Sequence, residues 1–196
     1  MSKGSETRRR IIERAAPLFN RKGYEGCSMQ DIVAAVGLEK GSLYGHFPNK
    51  EALAIAAFDH AWQQTCAARI AGVDELPGAL EKLRLHVHNA VIRPSFPGGC
   101  PLGNTIIDSD DGNPGLKKEA REALKGWRLF VENIVRNGQA SHEIRSDADP
   151  QEVASVLISQ LEGAMLLDRF DKKAGYLKNA EKHIGMYLDT LAVQPA

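Results

Sequence analysis

The run Lys40-Gly-Ser-Leu-Tyr-Gly-His46 gathers an ammonium, a hydroxyl, a phenol and an imidazole on seven residues. These groups share a capacity to hydrogen-bond to polar edges and anions, and their reach suits a nucleic-acid groove better than bond making. Cys100 is a second candidate, since it follows Gly98-Gly99 and opens a short helix expected over 101–108. A thiol at a helix N-terminus is biased towards thiolate, which attacks electrophiles and oxidants. The other reading of Cys100 is a small buried residue filling space beneath a loop. Further groupings fail as chemistry. His86 and His88 are two apart and point to different helix faces, a poor metal pair. Asp108, Asp110, Asp111 and Gly112 fail as an EF-hand loop. With no GxGxxG, P-loop, HExxH or GxSxG, the expectation is no enzyme, no catalytic residue, no metal and no cofactor.

The pattern around Lys40–His46 supplies a scaffold. Ser28 is a good N-cap with Asp31 three residues on, an acidic variant of the capping box. Ile32, Val33 and Val36 give the helix that follows an apolar face, and Gly37 permits a tight turn into a second short helix over 40–46. A first helix over about 6–22 carries Ile11, Ala15, Leu18 and Phe19 on one face, with Pro17 expected to bend it and Gly23 to end it. Burying Ile32, Val33, Leu38, Leu43 and Phe47 against that face leaves Lys40, Gly41, Ser42, Tyr44 and His46 exposed. Residues 28–47 thus read as a helix-turn-helix, although a plain corner of a helical bundle has similar short helices.

Charge separates the two readings. The 196-residue chain has 25 Lys/Arg and 25 Asp/Glu. Residues 1–50 nevertheless hold nine Lys/Arg against five Asp/Glu, a net of +4, and residues 51–196 hold sixteen against twenty, a net of −4. A basic head on an acidic body suggests that the head meets a polyanion. Cys27, Cys66 and Cys100 are too few and too scattered for a disulfide framework or a zinc site. No apolar run approaches the length of a membrane span, and no apolar segment follows the polar Met1–Arg10, so a cytoplasmic protein away from membranes is expected.

Beyond the head the periodicity stays helical. Asn49 can cap a long helix from Lys50 towards Ala71, and 93–101 reads as a loop. Asn113-Pro114 opens a helix striped by Leu116, Ala120, Leu124, Trp127, Val131 and Ile134, with Asn137-Gly138 expected to close it. Asp149-Pro150 opens another, and Leu177, Ala180, Ile184, Leu188 and Leu191 mark the last with the spacing of a helix–helix seam. The fold class is all-α, about nine helices, with a boundary near residue 48.

The sequence resembles the TetR family of bacterial regulators. The resemblance rests on Ala15-Ala-Pro-Leu-Phe19, Gly23-Tyr24, Ser28-Met-Gln-Asp-Ile32, Ala35-Val-Gly-Leu38, Lys40-Gly-Ser-Leu-Tyr44, His46-Phe47 and Asn49-Lys-Glu51. It covers residues 6–55 without gaps, and Gly99-Cys-Pro-Leu-Gly-Asn104 is similar to an element in some members. It implies a three-helix DNA-binding head over 1–48 and a larger helical domain for effector binding and dimerisation over 49–196. It also implies that Gln30, Lys40, Gly41, Ser42, Tyr44 and His46 face the major groove. Ser28, Tyr44, His46 and Lys50 would contact phosphates, with Arg8, Arg9 and Arg10 on the flanking backbone. Gln30 could pair with adenine and Lys40 with guanine.

The same resemblance implies a small-molecule pocket, for which Trp62, His86, Phe96, Cys100, Asn104, Trp127, Phe130 and Gln160 are the candidates. Core packing is the competing role for each. A homodimer matches two half-sites, and the 177–191 seam and the 150–168 stripe are its expected surfaces. The function expected is a repressor of a double-stranded DNA operator, released when an effector, of small-molecule or electrophile type, shifts the spacing of two heads. The alternative is a helical adaptor without specific DNA binding.

Overall fold

Local capping and turn chemistry set the first elements of the chain. The structure is a computed structural model, and it describes residues 3–92 and 96–193. Arg93–Ser95, part of the expected 93–101 loop, lie outside the described residues. Nine α-helices are present among the described residues: α1 (Lys3–Gly26), α2 (Met29–Val36), α3 (Lys40–His46), α4 (Lys50–Ile70), α5 (Ala79–Ile92), α6 (Pro101–Ser109), α7 (Pro114–Ala140), α8 (Pro150–Phe170) and α9 (Tyr176–Asp189). A 3-10 turn at Lys172–Ala174 joins the last two. The only β pairing among these residues is an isolated bridge between Ile144 and Ala192.

Ser28 caps α2 by the full reciprocal capping box. Its hydroxyl accepts from the Asp31 amide at 3.1 Å, and the Asp31 carboxylate accepts from the Ser28 amide at 2.9 Å. Gly37 takes the left-handed conformation, φ 68°, that turns the chain towards α3. Asn49 caps α4 through the Ala52 amide at 2.8 Å, Asn113 caps α7 through Leu116 at 2.9 Å, and Asp149 caps α8 through Gln151 at 2.9 Å. Gly23 ends the first run of α1 as expected, at φ 75°, ψ 171°, and one further turn follows to Gly26. One expectation changes. Gly138 does not close α7, which runs on to Ala140; a side chain there would meet Ala79 Cβ at 2.6 Å and Ile144 Cδ1 at 2.7 Å.

The chain forms two compact units. One comprises Met1–Thr65 with Ser95–Ala123, the other Cys66–Pro94 with Leu124–Ala196. The expected boundary at residue 48 falls inside the first unit, because the body of α4, together with α6 and the start of α7, packs with the head. The first unit is organised around Ile11, Ala15, Ile32, Leu43, Phe47 and Leu53, all at most 1% exposed.

In the second unit α9 packs on α8 and α5. Its core includes Leu83, Val131, Leu157, Leu161, Ile184 and Leu188, again at most 1% exposed. The seam expected to join two subunits is therefore internal: Ile184, Leu188 and Leu191 are buried within one chain, and Leu177 and Ala180 are half-buried. A seven-residue apolar spacing states that a helix packs, and leaves open against what. The 150–168 stripe splits in the same way. Val153, Leu157 and Ala164 are buried, whereas Gln160 and Leu167 face out. The α5 N-terminus is held by Glu143, whose carboxylate accepts from the Leu80 amide at 2.9 Å, a charge placed where the helix dipole favours it.

Candidate nucleic-acid interface

Burial of Leu43 and Phe47 fixes which face of α3 remains free. Leu43 is wholly buried, whereas Lys40, Gly41, Ser42 and Tyr44 are exposed. His46 is half-buried at the end of the helix. Gln30 is exposed on α2. Ser28 is exposed as well, but its hydroxyl donates to Asp31 Oδ2 at 2.7 Å, so that proton is already used. These bonds from Ser28, with a further one from Lys22 at 3.0 Å, hold the Asp31 carboxyl at about 2. The Lys22–Asp31 pair ties α1 to α2.

Two cations of the head are held by rings. Arg8 lies 4.8 Å from the centre of the Phe47 ring, and the Lys50 ammonium lies 4.2 Å from the centre of the Tyr24 ring. Arg8 is thereby placed beside the helix-turn-helix, while Arg9 pairs with Glu13 at 3.8 Å. The Tyr24 platform was not drawn from the residue pattern. Gly23-Tyr24 carried the family resemblance, but nothing local states what the ring touches.

Of the eight residues expected around a ligand, Trp62, Phe96, Cys100 and Asn104 lie in the first unit and His86, Trp127, Phe130 and Gln160 in the second. His86, Trp127 and Phe130 come together in the second unit. The ring centres are 6.1 Å apart for His86–Trp127 and 5.1 Å for His86–Phe130. His86 is 2% exposed, and burial first, then Arg69, lowers its pKa to about 4. Arg69, absent from the sequence expectation and only 4% exposed, lies over the Trp127 ring at 4.3 Å and pairs with Glu162 at 3.6 Å. A lone basic residue in the last turn of α4 reads as a helix-end charge, so its burial carries no sequence signal.

Phe96, Cys100 and Asn104 belong to the first unit. Phe96 packs on the core of the head and meets His60 edge-on. The Asn104 amide donates to the Asn20 carbonyl at 2.9 Å and the Gly98 carbonyl at 2.9 Å, fastening α6 to α1. Cys100 is the N-cap position of α6 and is 5% exposed, the burial of a space-filling residue. Burial also pushes the Cys27 and Cys66 thiols up. Trp62 is half-buried on α4, and Gln160 is exposed on α8. No group of three metal-ligating side chains is assembled among the described residues, and no helix of theirs is long and apolar enough to cross a membrane.

Known proteins resemble the chain at both levels. Residues 11–57 match the model of bacterial regulatory proteins of the tetR family, and residues 78–184 match that of the tetracyclin repressor-like C-terminal domain. A TetR-family regulator from Cytophaga hutchinsonii is 36% identical, with a TM-score of 0.93 over 100% of this chain and 99% of that one. A TetR regulator from Chloroflexus aurantiacus J-10-FL is 38% identical, with a TM-score of 0.93 over 98% of each. The HTH-type transcriptional repressor DhaR of Mycobacterium sp. (strain GP1) is 28% identical, covering 84% of this chain and 83% of its own.

Proposed function

This chain belongs to the TetR family of bacterial DNA-binding transcriptional regulators, and on that premise we propose that it is a cytoplasmic, homodimeric repressor released from its operator by a small-molecule effector. The observation that carries the reading is the free face of α3, where Lys40, Ser42 and Tyr44 stand exposed above a wholly buried Leu43. A rigid helix presenting short polar groups and one cation can enter a major groove. Gln30, His46 and Lys50 flank it as further base or phosphate contacts, and Ser28, whose hydroxyl proton is held by Asp31, serves as the cap of the helix that carries Gln30.

The dimer surface is supported by apolar side chains left outside the subunit core. Phe170 is 95% exposed, Met186 55%, Leu166 52% and Leu167 47%, all on α8 and α9. Such side chains are covered at low cost by a second copy. For the effector we assign the His86–Trp127–Phe130 cluster with Arg69, where aromatic walls and buried polar groups coincide. Phe96 and Asn104 are read as packing and fastening residues of the first unit, and Cys100 as a packing residue rather than an electrophile sensor.

Selection of duplexes from a random pool followed by a salt-titrated gel shift tests the reading. The selected duplex is expected to be bound at physiological salt well above random DNA, and Lys40→Ala to lose that preference. Binding only at low salt, without preference, would support a helical adaptor instead.

A further inference from the structure

Asp108 belongs to the acidic stretch that fails as a calcium loop, and its carboxylate has a partner elsewhere. Its Oδ2 accepts from the Tyr24 backbone amide at 2.6 Å, joining α6 to the end of α1. The break at Gly23 makes room for it, since a Cβ at that position would stand 2.5 Å from Asp108 Oδ1. The Tyr24 ring stacks on Phe19, with centres 6.4 Å apart and planes inclined by 15°. On the same ring rests the Lys50 ammonium, 4.2 Å from its centre. Asn104 gives α6 a second hold on α1 through Asn20. All of these residues lie in the first unit.

We infer that Asp108 is a positioning residue for DNA binding: from the α6–α7 corner it fixes Tyr24, and the Tyr24 ring presents the Lys50 ammonium to the phosphate backbone. A lysine ammonium on a four-carbon stem has many rotamers, and a ring beneath it selects among them. Displacing the corner therefore removes a phosphate contact while α3 stays intact. The inference rests on the reading of Lys50 as a phosphate contact.

The slope of log K against log salt reads the number of phosphates neutralised, at about 0.9 per contact. A merely structural role lowers affinity or melting temperature without moving that slope. With a duplex selected in vitro from a random pool, Lys50→Met is expected to lower the slope by about 0.9 per subunit. Asp108→Ala and Tyr24→Leu are expected to lower it equally, and Asp108→Ala combined with Lys50→Met to lower it no further than Lys50→Met alone. Tyr24→Phe keeps the ring and Asp108→Asn keeps an acceptor for the Tyr24 amide, so both are expected to stay near the parent slope. If Asp108→Ala does not fold, Asp108→Glu displaces the carboxylate by one methylene and is expected to lower the slope. A lowered slope in Lys50→Met with an unchanged slope in the Asp108 variant overturns this inference alone. So does full additivity of the two changes. An unchanged slope in Lys50→Met overturns the phosphate reading and the inference together.

Discussion

Trp127 donates its indole Nε1–H to His86 Nε2 across 2.9 Å, and this bond fixes the tautomer of a buried histidine. An indole nitrogen only donates, so Nε2 is the acceptor and the neutral ring carries its proton on Nδ1. Protonation would turn Nε2 into a second donor and break the bond.

A pH dependence of stability follows. Burial, reinforced by Arg69, lowers the folded pKa of His86 to about 4 from its ordinary 6.5. Between those values the unfolded chain binds the proton and the folded chain does not. This contribution to stability is therefore intact above 6.5 and declines as pH falls towards 4, by at most about 1.4 kcal/mol per pH unit. His86→Gln keeps an acceptor for the indole and does not titrate. Urea unfolding at pH 7, 6 and 5 should show a steeper decline in the parent than in the variant, and parallel declines would refute the assignment.

The capping box of α2 predicts two linked changes in Ser28→Ala. Loss of the hydroxyl that accepts from the Asp31 amide should destabilise the protein by about 1 kcal/mol in denaturant unfolding. The Asp31 carboxyl, held at about 2 chiefly by Ser28, should rise towards its ordinary 3.8. Because its folded pKa is the lower one, the support it gives is present above 3.8 and is lost as pH falls through about 2. Carboxyl titration by NMR checks the shift, and an Asp31 that still titrates near 2 in the variant would contradict it.

Two glycines of α7 should respond to alanine in opposite directions. At Gly138 the added methyl meets Ala79 and Ile144 at under 3 Å, and overpacking of that kind costs roughly 1–3 kcal/mol. At Gly126 it meets nothing within 4 Å, and the better helix propensity of alanine should stabilise by about 0.5–1 kcal/mol. Thermal melting of the two variants decides, and a shift of the same sign in both would be contrary to the packing described.

The two apolar stripes near the C-terminus should separate in solution. Ile184 is wholly buried within the subunit, so Ile184→Ala should cost roughly 2–5 kcal/mol of stability. Phe170 is 95% exposed, so Phe170→Glu should leave the melting of the isolated subunit nearly unchanged and weaken self-association. Sedimentation at micromolar concentration reads the latter. A Phe170→Glu protein that sediments like the parent would remove α8 from the dimer surface.

The sequence by itself determined what neighbouring residues can settle. Ser28 with Asp31, Gly37, Asn49, Asn113 and Asp149 each mark an end or a turn, because a cap and its amide lie within three residues of each other. Part of the exposed strip of α3 was legible for the same reason, since helical spacing puts Gly41 opposite Leu43 and Ser42 and Tyr44 about a quarter turn from it. Tertiary structure decided everything that depends on residues far apart in the chain. It turned the 177–191 seam into subunit core and the Gly138 terminator into a close approach. It made Asn104 a fastener onto Asn20, 84 residues away, and aimed Asp108 at the Tyr24 amide at the same separation. Periodicity records that a face is apolar or that a side chain is polar. Which partner meets it is fixed only when the chain closes and burial drives donors and acceptors to pair.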